Sequence, residues 1–295
     1  MEIKNPLNEN ALFLDLTTRV WSGEKAIHRD ADLSLVANQL PPKDLMRDGV
    51  KQIVPGAFLA EIRNIAAKAE RAAALQGVRI LKGWAVPTEL AEATHKALQG
   101  IQREWNDQVD YLVGELPTAY ATQQAAYPTW ASMLKDAQMS PAQVRSSFSF
   151  SWTWLEIAAP RNHAPALGEG YASLGAQAFE SLLKDIATPA ARLLVTASRK
   201  DQVTQATLNA TRRLVSKLSN FAFLDPKIGP AVDAINGTLI GIPDGRLDPT
   251  STFALRAVLS ALRDPDQLWS YASLPEAAPP QKALQLAGGM LPLNF

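Results

Sequence analysis

The strongest local concentration of charge in the sequence is basic and lies between residues 189 and 219. This segment contains one acid, Asp201, and six basic residues: Arg192, Arg199, Lys200, Arg212, Arg213 and Lys217. Such side chains bind the phosphates of nucleic acids or the carboxylates of an acidic partner. The alternative is a solvated helix face with favourable charges near a helix carboxyl end.

Residue types that commonly carry catalysis are few and scattered. His28, His95 and His163 do not stand at metal-ligand spacing, and we expect His95 on the surface of a long helix. Asp30 and Asp32 fit a loop or helix cap better than a metal site. The chain has no cysteine, phosphate-binding loop, dinucleotide fingerprint or nucleophile elbow. We therefore expect no catalytic residue, cofactor or metal. Hydrolysis by a pair of carboxylates is an alternative that the sequence leaves open, because such pairs need no fixed spacing.

Composition and charge limit the function further. The 29 basic and 29 acidic residues give a formal net charge of zero. A general attraction to nucleic acid or an anionic membrane is therefore absent, and such binding would need a local patch. The amino terminus lacks the pattern of a signal peptide, and no run of about 18 apolar residues could span a bilayer. We expect a cytoplasmic protein.

One short stretch, RSSFSFSWTWLEI at 145–157, places an aromatic residue at every second position. This spacing puts four rings on one face of a strand. They could form a platform on which bases stack, or the buried face of a sheet. Stacking platforms usually add basic residues on the same face, and here that face offers Ser146 and Glu156. Burial of each ring stabilises by about 2–3 kcal/mol, so the buried face is favoured.

A second strand is predicted at residues 12–21, LFLDLTTRVW, where apolar and polar residues alternate. Because an isolated strand is unstable, the two strands are natural partners. We predict that Phe148, Phe150, Trp152 and Trp154 are buried together with Leu12, Leu14 and Leu16.

Helical spacing dominates the rest of the chain. Apolar stripes over 56–76 and 88–116, joined by the connector 78–87, predict an antiparallel helical hairpin that projects from the body. Pro117 is expected to kink or end the second helix. From about residue 168 the rest of the chain is predicted to be helical. Several helices along the chain are predicted to start where a capping residue precedes proline. Five such starts are expected, at Ser140-Pro141, Thr188-Pro189, Asp225-Pro226, Asp248-Pro249 and Asp264-Pro265.

These elements define a fold that is mainly α with a small antiparallel β-sheet, an α+β arrangement with a long helical hairpin inserted between two strands. We predict a sheet region at 1–54 and 144–164, the hairpin insertion at 55–143, and a helical bundle at 165–273. Residues 274–295 are rich in Pro, Ala and Gly and are expected to be a flexible tail. Its apolar end is a possible partner-docking segment, formed by Met290, Leu291, Leu293 and Phe295.

The order of these features resembles a known bacterial family. A strand, LFLDLTTRVWSGEKAI, is followed by LPPKDL, GVRILKGWAVP, the aromatic strand and LSNFAFLDPKIGPAVDAI. Over about residues 11–265 this order resembles the family called Domain of Unknown Function 3150. The resemblance implies occurrence on conjugative elements and phages, near genes for a MoxR-like AAA+ ATPase and a von Willebrand factor A protein. It implies no active-site residues.

The leading hypothesis is a non-catalytic adaptor or structural subunit that works with an AAA+ ATPase on a mobile genetic element. The first alternative is a nucleic-acid-binding protein that uses the basic segment 189–219. A metal-dependent hydrolase with unrecognised carboxylates is a weaker third. Homo-oligomerisation is possible under each hypothesis.

Overall fold

A computed structural model describes residues 5–27, 45–47, 49–159, 166–199, 203–243, 245 and 247–273. Within these ranges the chain folds into two compact units. Unit 1 comprises Met1–Leu14, Ala74–Ala91 and Trp154–Phe295, and unit 2 comprises Asp15–Ala73 and Glu92–Thr153, so far as these segments are described.

The main sheet has four strands in the order β5-β6-β1-β7 and is antiparallel. In chain order these strands are β1 (Ala11–Arg19), β5 (Val78–Ile80), β6 (Gly83–Pro87) and β7 (Ser149–Glu156). Strands β1 and β7 are neighbours, which confirms the predicted pairing of the two sequence-distant strands. The predicted connector 78–87 is the β5–β6 hairpin, and β6 pairs with β1 from Ala11↔Pro87 to Leu14↔Trp84.

The close pairing of β6 with β1 depends on a glycine. A side chain at Gly83 would lie 2.4 Å from the Phe13 ring and 2.5 Å from the carbonyl oxygen of Leu14. Such distances are far below van der Waals contact, so only glycine lets β6 approach β1 this closely.

A smaller antiparallel sheet belongs to unit 2. Its strand order is β2-β4-β3, with β2 at Glu24–Ala26, β3 at Met46–Arg47 and β4 at Val50–Gln52. The helix α1 (Leu7–Asn10) precedes the main sheet in the chain.

Two long helices lie between β1 and β7 in the chain, as predicted. They are α2 (Ala60–Gln76), preceded by a 3-10 turn at Gly56–Leu59, and α3 (Thr88–Ala126). An ion pair between Lys68 of α2 and Glu104 of α3, 2.7 Å long, joins the helices. The projection of this hairpin from the body stays a prediction, and so do the predicted domain boundaries.

Pro117 does not end the second helix, because α3 continues through this proline to Ala126. A proline removes one intrahelical hydrogen bond. The apolar stripe of α3 continues past it through the buried Leu116, Ala119 and Tyr120, and packing of that stripe holds the helix together.

The remaining elements follow in order along the chain. A 3-10 turn at Pro128–Trp130 leads to α4 (Ala131–Asp136) and α5 (Pro141–Ser146), which precede β7. After β7 come α6 (Ala166–Arg199), α7 (Gln205–Asn220), a 3-10 turn at Ala222–Leu224, α8 (Ile228–Ile240), α9 (Pro249–Arg263) and α10 (Pro265–Ser273).

The capped prolines mark helix starts in most of the predicted places. Ser140 forms a capping box with Gln143, and Asp248 accepts a hydrogen bond from the Ser251 amide at 2.7 Å. That bond lowers the pKa of the Asp248 carboxyl. Helix α10 begins at Pro265 as expected, and α8 begins two residues after Pro226.

Thr188-Pro189 is the exception, because α6 runs unbroken from Ala166 to Arg199 and contains Pro189. Its buried stripe extends across the proline, from Leu182 and Ile186 to Ala190 and Ala197. Packing of this stripe in the core of unit 1 overrides the local stop signal.

Candidate functional site

The aromatic row on β7 is covered by α3. Trp105 of α3 lies 5.4 Å from Phe150 and 6.3 Å from Phe148, measured between ring centroids. Phe148 and Phe150 are buried, with 8% and 9% of their surface exposed, and Trp152 and Trp154 are half-buried. Core burial is confirmed for the two phenylalanines, whereas the predicted burial is only partial for Trp152 and Trp154. Side chains of α3 contact Phe148, Phe150 and Trp152, so these three rings do not form an open stacking platform.

His95 belongs to the same cluster. Its Nδ1 accepts a hydrogen bond of 3.0 Å from the Trp152 indole, and the two rings meet edge to face at 5.5 Å. The expectation that His95 is a surface residue is therefore wrong in part, because its ring is half-buried. Helical spacing alone could not show that the β7 aromatics lie over this position of α3.

Alternate apolar residues of β1 are also largely shielded from solvent. Leu14 and Leu16 are buried, as predicted, and Leu12 is half-buried. The opposite face of β1 is not wholly polar, because Ala11 is buried and Phe13 packs against the core of unit 1. Both faces of the first half of β1 are therefore covered.

Sequence reasoning missed an apolar groove in unit 2. It lies between α3 and the Gly56–Leu59 turn and has a volume of about 330 Å³. The turn side contributes Pro55, Ala57 and Phe58; the helix side contributes Tyr111, Glu115, Thr118, Ala119 and Thr122. Each of these helical positions has another of the set three or four residues away, so they share one face of α3.

The groove combines apolar walls with few polar groups. Tyr111 is 61% exposed although its ring is large, and Phe58 is half-buried. The Thr122 hydroxyl donates to the Thr118 carbonyl oxygen at 2.9 Å and is therefore occupied within the helix. Glu115 is exposed and gives the groove one negative charge. These walls suit an apolar side chain that is flanked by a basic residue.

Tyr120 holds the helix beside this groove in place. Its hydroxyl donates to the carbonyl oxygen of Met139 and accepts from the Met139 amide, both at 3.1 Å. Burial raises the pKa of the Tyr120 phenol, and the hydrogen bond to Met139 partly offsets that rise. The end of α3 is thereby tied to the turn that precedes α5.

In the basic segment, the side chain of Lys217 holds two helices together. Lys217 on α7 donates to the Asp185 carboxylate on α6 at 2.8 Å, and to the Ala74 carbonyl oxygen at the end of α2, also at 2.8 Å. Its side chain is 11% exposed. A lysine held in this way stabilises the helix carboxyl end and is not available to a phosphate.

The other basic residues differ in their surroundings. Arg192 and Arg213 are exposed, and neither forms an ion pair with a described residue. Arg212 is half-buried and has an interaction partner. Arg199 ends α6, but its side chain and all of Lys200 lie outside the described residues. Lys217 therefore has a structural role, whereas the side chains of Arg192 and Arg213 are exposed to solvent.

Comparison of the sequence with known families gives one match. A family described as Protein of unknown function (DUF3150) matches residues 8–264. The chain belongs to this family. The match confirms the resemblance seen in the order of motifs, and it extends over the main sheet and most of the helices of this DUF3150 protein. No curated protein and no solved structure matches the chain.

Several predicted positions of the DUF3150 protein lie outside the described residues. They are His28, His163, Asp30 and Asp32, and the tail residues Met290, Leu291, Leu293 and Phe295. Among the residues that are described, no group of three or more histidines and carboxylates is placed to hold a metal ion. In the same part of the chain, no helix has both the length and the hydropathy required for a membrane span.

Proposed function

We propose that this DUF3150 protein is a non-catalytic adaptor that binds an AAA+ ATPase and acts with it on a mobile genetic element. The observation that carries the proposal is the exposed groove of unit 2 around Tyr111 and Phe58. Large aromatic side chains on a surface are the residues that dominate protein–protein binding energies. The AAA+ partner and the mobile element are what the resemblance to the family implies.

The groove supports protein binding through its shape and its chemistry. An open groove of about 330 Å³ with apolar walls fits a peptide or helix that inserts one or two apolar side chains. Glu115 on its wall favours a partner segment in which a basic residue stands next to the apolar one.

The first test is purification of the tagged protein from its native host. We expect an AAA+ ATPase to co-elute, because an adaptor forms a complex stable enough to isolate. The complex is then rebuilt from purified components. Tyr111→Ala should weaken binding by about 30-fold, the loss expected when a central aromatic residue of an interface is removed. The dissociation constant is measured by calorimetry.

Ile240→Ala is the matched control for Tyr111→Ala. Ile240 is 82% exposed at the end of α8 in unit 1, so this change also removes an exposed apolar side chain. We expect it to leave the affinity unchanged. Equal losses in the two variants would contradict a specific role of the groove, and failure of the ATPase to bind the unmodified protein would contradict the adaptor function.

The second candidate function is nucleic-acid binding, which the two exposed arginines favour. Each phosphate contact to duplex DNA changes the log–log salt slope of the affinity by about −0.9. Arg192 and Arg213 together would therefore contribute a slope of about −1.8. We expect Arg213→Glu to weaken binding to every sequence alike, because phosphate contacts carry no base information. An affinity for DNA that is insensitive to salt and to Arg213→Glu would exclude this candidate.

A further inference from the structure

A second apolar groove lies within unit 1, between the start of α8 and the last turns of α10. Its volume is about 400 Å³, and it is lined by Pro226, Lys227, Pro230, Trp269 and Ser273. Two proline rings and one indole supply its apolar surface. Lys227 is the charged residue of this lining and is exposed to solvent.

The indole of this groove is held in a fixed orientation. Trp269 stacks on Phe179 of α6 with ring centroids 6.2 Å apart and planes inclined by 17°. The preceding residue of α10, Leu268, is buried and anchors the helix. A partner that binds the half-buried indole therefore loses little free energy in ordering it. Tryptophan is also among the residues that most often dominate the energy of an interface.

Two polar groups of the groove are available to a partner. Within the described part of the chain, the Lys227 ammonium group forms no ion pair and the Trp269 indole N–H forms no hydrogen bond. The carboxylate of Asp225 accepts from the backbone amide of Lys227 at 2.8 Å, and the Ser273 hydroxyl donates to the Ser270 carbonyl oxygen at 2.9 Å. The groove thus offers one cation and one neutral donor, which together favour a partner with a carboxylate and a free carbonyl oxygen.

The shape of the groove selects the conformation of the partner. Its walls are two helix ends, and Pro226 and Pro230 have no backbone N–H, so a partner strand cannot extend a sheet here. A docked helix needs anchors over several turns, whereas this lining has one aromatic side chain. The remaining common mode is an extended polyproline II segment, which binds to grooves lined by aromatic rings and is ordered before it binds.

We propose that the α8–α10 groove binds an acidic, proline-containing segment of a protein partner in the polyproline II conformation. A proline ring of the partner packs on Trp269, whose indole N–H donates to a carbonyl oxygen of the segment. A neighbouring carboxylate of the partner pairs with Lys227. This inference does not rest on the groove of unit 2, where the charged residue of the lining is Glu115.

The test measures binding of fluorescently labelled synthetic peptides to the full-length protein by fluorescence anisotropy. The peptides share one sequence of prolines and leucines and differ only in carrying Glu, Gln or Lys at a central position. We expect the Glu peptide to bind more tightly than the Gln peptide, and the Gln peptide more tightly than the Lys peptide, by about two- to five-fold at each step, the range for an exposed ion pair. Lys227→Glu should reverse this order.

Substitutions of Trp269 test the role of the indole. Trp269→Ala should weaken binding of the Glu peptide by about 30-fold. Trp269→Phe keeps a ring against Phe179 but removes the N–H group, and we expect a loss of about fivefold. Ile240→Ala, at the other end of α8, is the control and should leave the affinity unchanged. The thermal unfolding midpoint shows that each variant is folded, and Trp269→Phe decides if Trp269→Ala is not.

Four outcomes would overturn the proposal. They are the absence of binding by all three peptides, equal affinities for the three, and binding that does not change in either Trp269 variant. The fourth is peptide binding that appears only at low protein concentration or only when the chain is shortened to end at Ser273. The first of these two conditions would assign the groove to a second copy of the chain, and the second would assign it to the residues that follow Ser273.

Discussion

Phe150→Ala is expected to lower the free energy of unfolding by about 3–5 kcal/mol. Phe150 is 9% exposed and lies between Trp105 of α3 and Trp152 of the same strand, at centroid distances of 5.4 and 5.7 Å. Removal of the ring leaves a cavity that the two large indoles cannot fill by a small shift. Urea denaturation followed by circular dichroism measures the loss.

Ser151→Ala is the control for this prediction, because Ser151 is the next residue of β7 and is exposed on the opposite face. We expect a change within about 0.5 kcal/mol for such a surface substitution. A loss below about 1 kcal/mol for Phe150→Ala would contradict the assignment of the aromatic row to the core. We do not expect Ser151→Ala to create a nucleic-acid-binding surface, because the Phe150 ring packs against Trp105 of α3 in this variant too.

Lys217→Met is expected to lower the free energy of unfolding by about 2–3 kcal/mol, although it removes a charge from a basic segment. The substitution breaks the hydrogen bonds to Asp185 and to the Ala74 carbonyl oxygen. Asp185 loses its partner, but its side chain is 33% exposed, so water can solvate part of the carboxylate. The loss should therefore be smaller than for a fully buried pair.

Arg213→Met is the matched control, because Arg213 lies one turn earlier on α7 and is exposed. It should change stability by no more than about 0.5 kcal/mol. A double-mutant cycle of Lys217→Met with Asp185→Asn isolates the coupling between the two side chains. If Lys217→Met left stability unchanged and weakened binding to DNA, Lys217 would be a phosphate contact and the structural role would be wrong.

Local patterns in the sequence determined most of the secondary structure. Alternation of apolar residues in 12–21 and 145–157 was sufficient to predict β1 and β7 and to pair them, since each strand had one face that required cover. Capping residues before Pro141, Pro249 and Pro265 marked helix starts, because an N-cap oxygen and a proline at the first helical position act within one turn of the backbone. The family could also be recognised, because its landmarks are packing and turn motifs that follow one another along the chain.

The tertiary structure alone decided which residues interact across the chain. Lys217 looked like part of a basic surface until the fold placed it beside Asp185, 32 residues away, and beside Ala74, 143 residues away. Pro117 and Pro189 looked like helix stops, but packing of a continuous buried stripe offsets the hydrogen bond that each proline removes. The groove beside Tyr111 arises where two separate segments meet, and no periodicity within either segment records that contact.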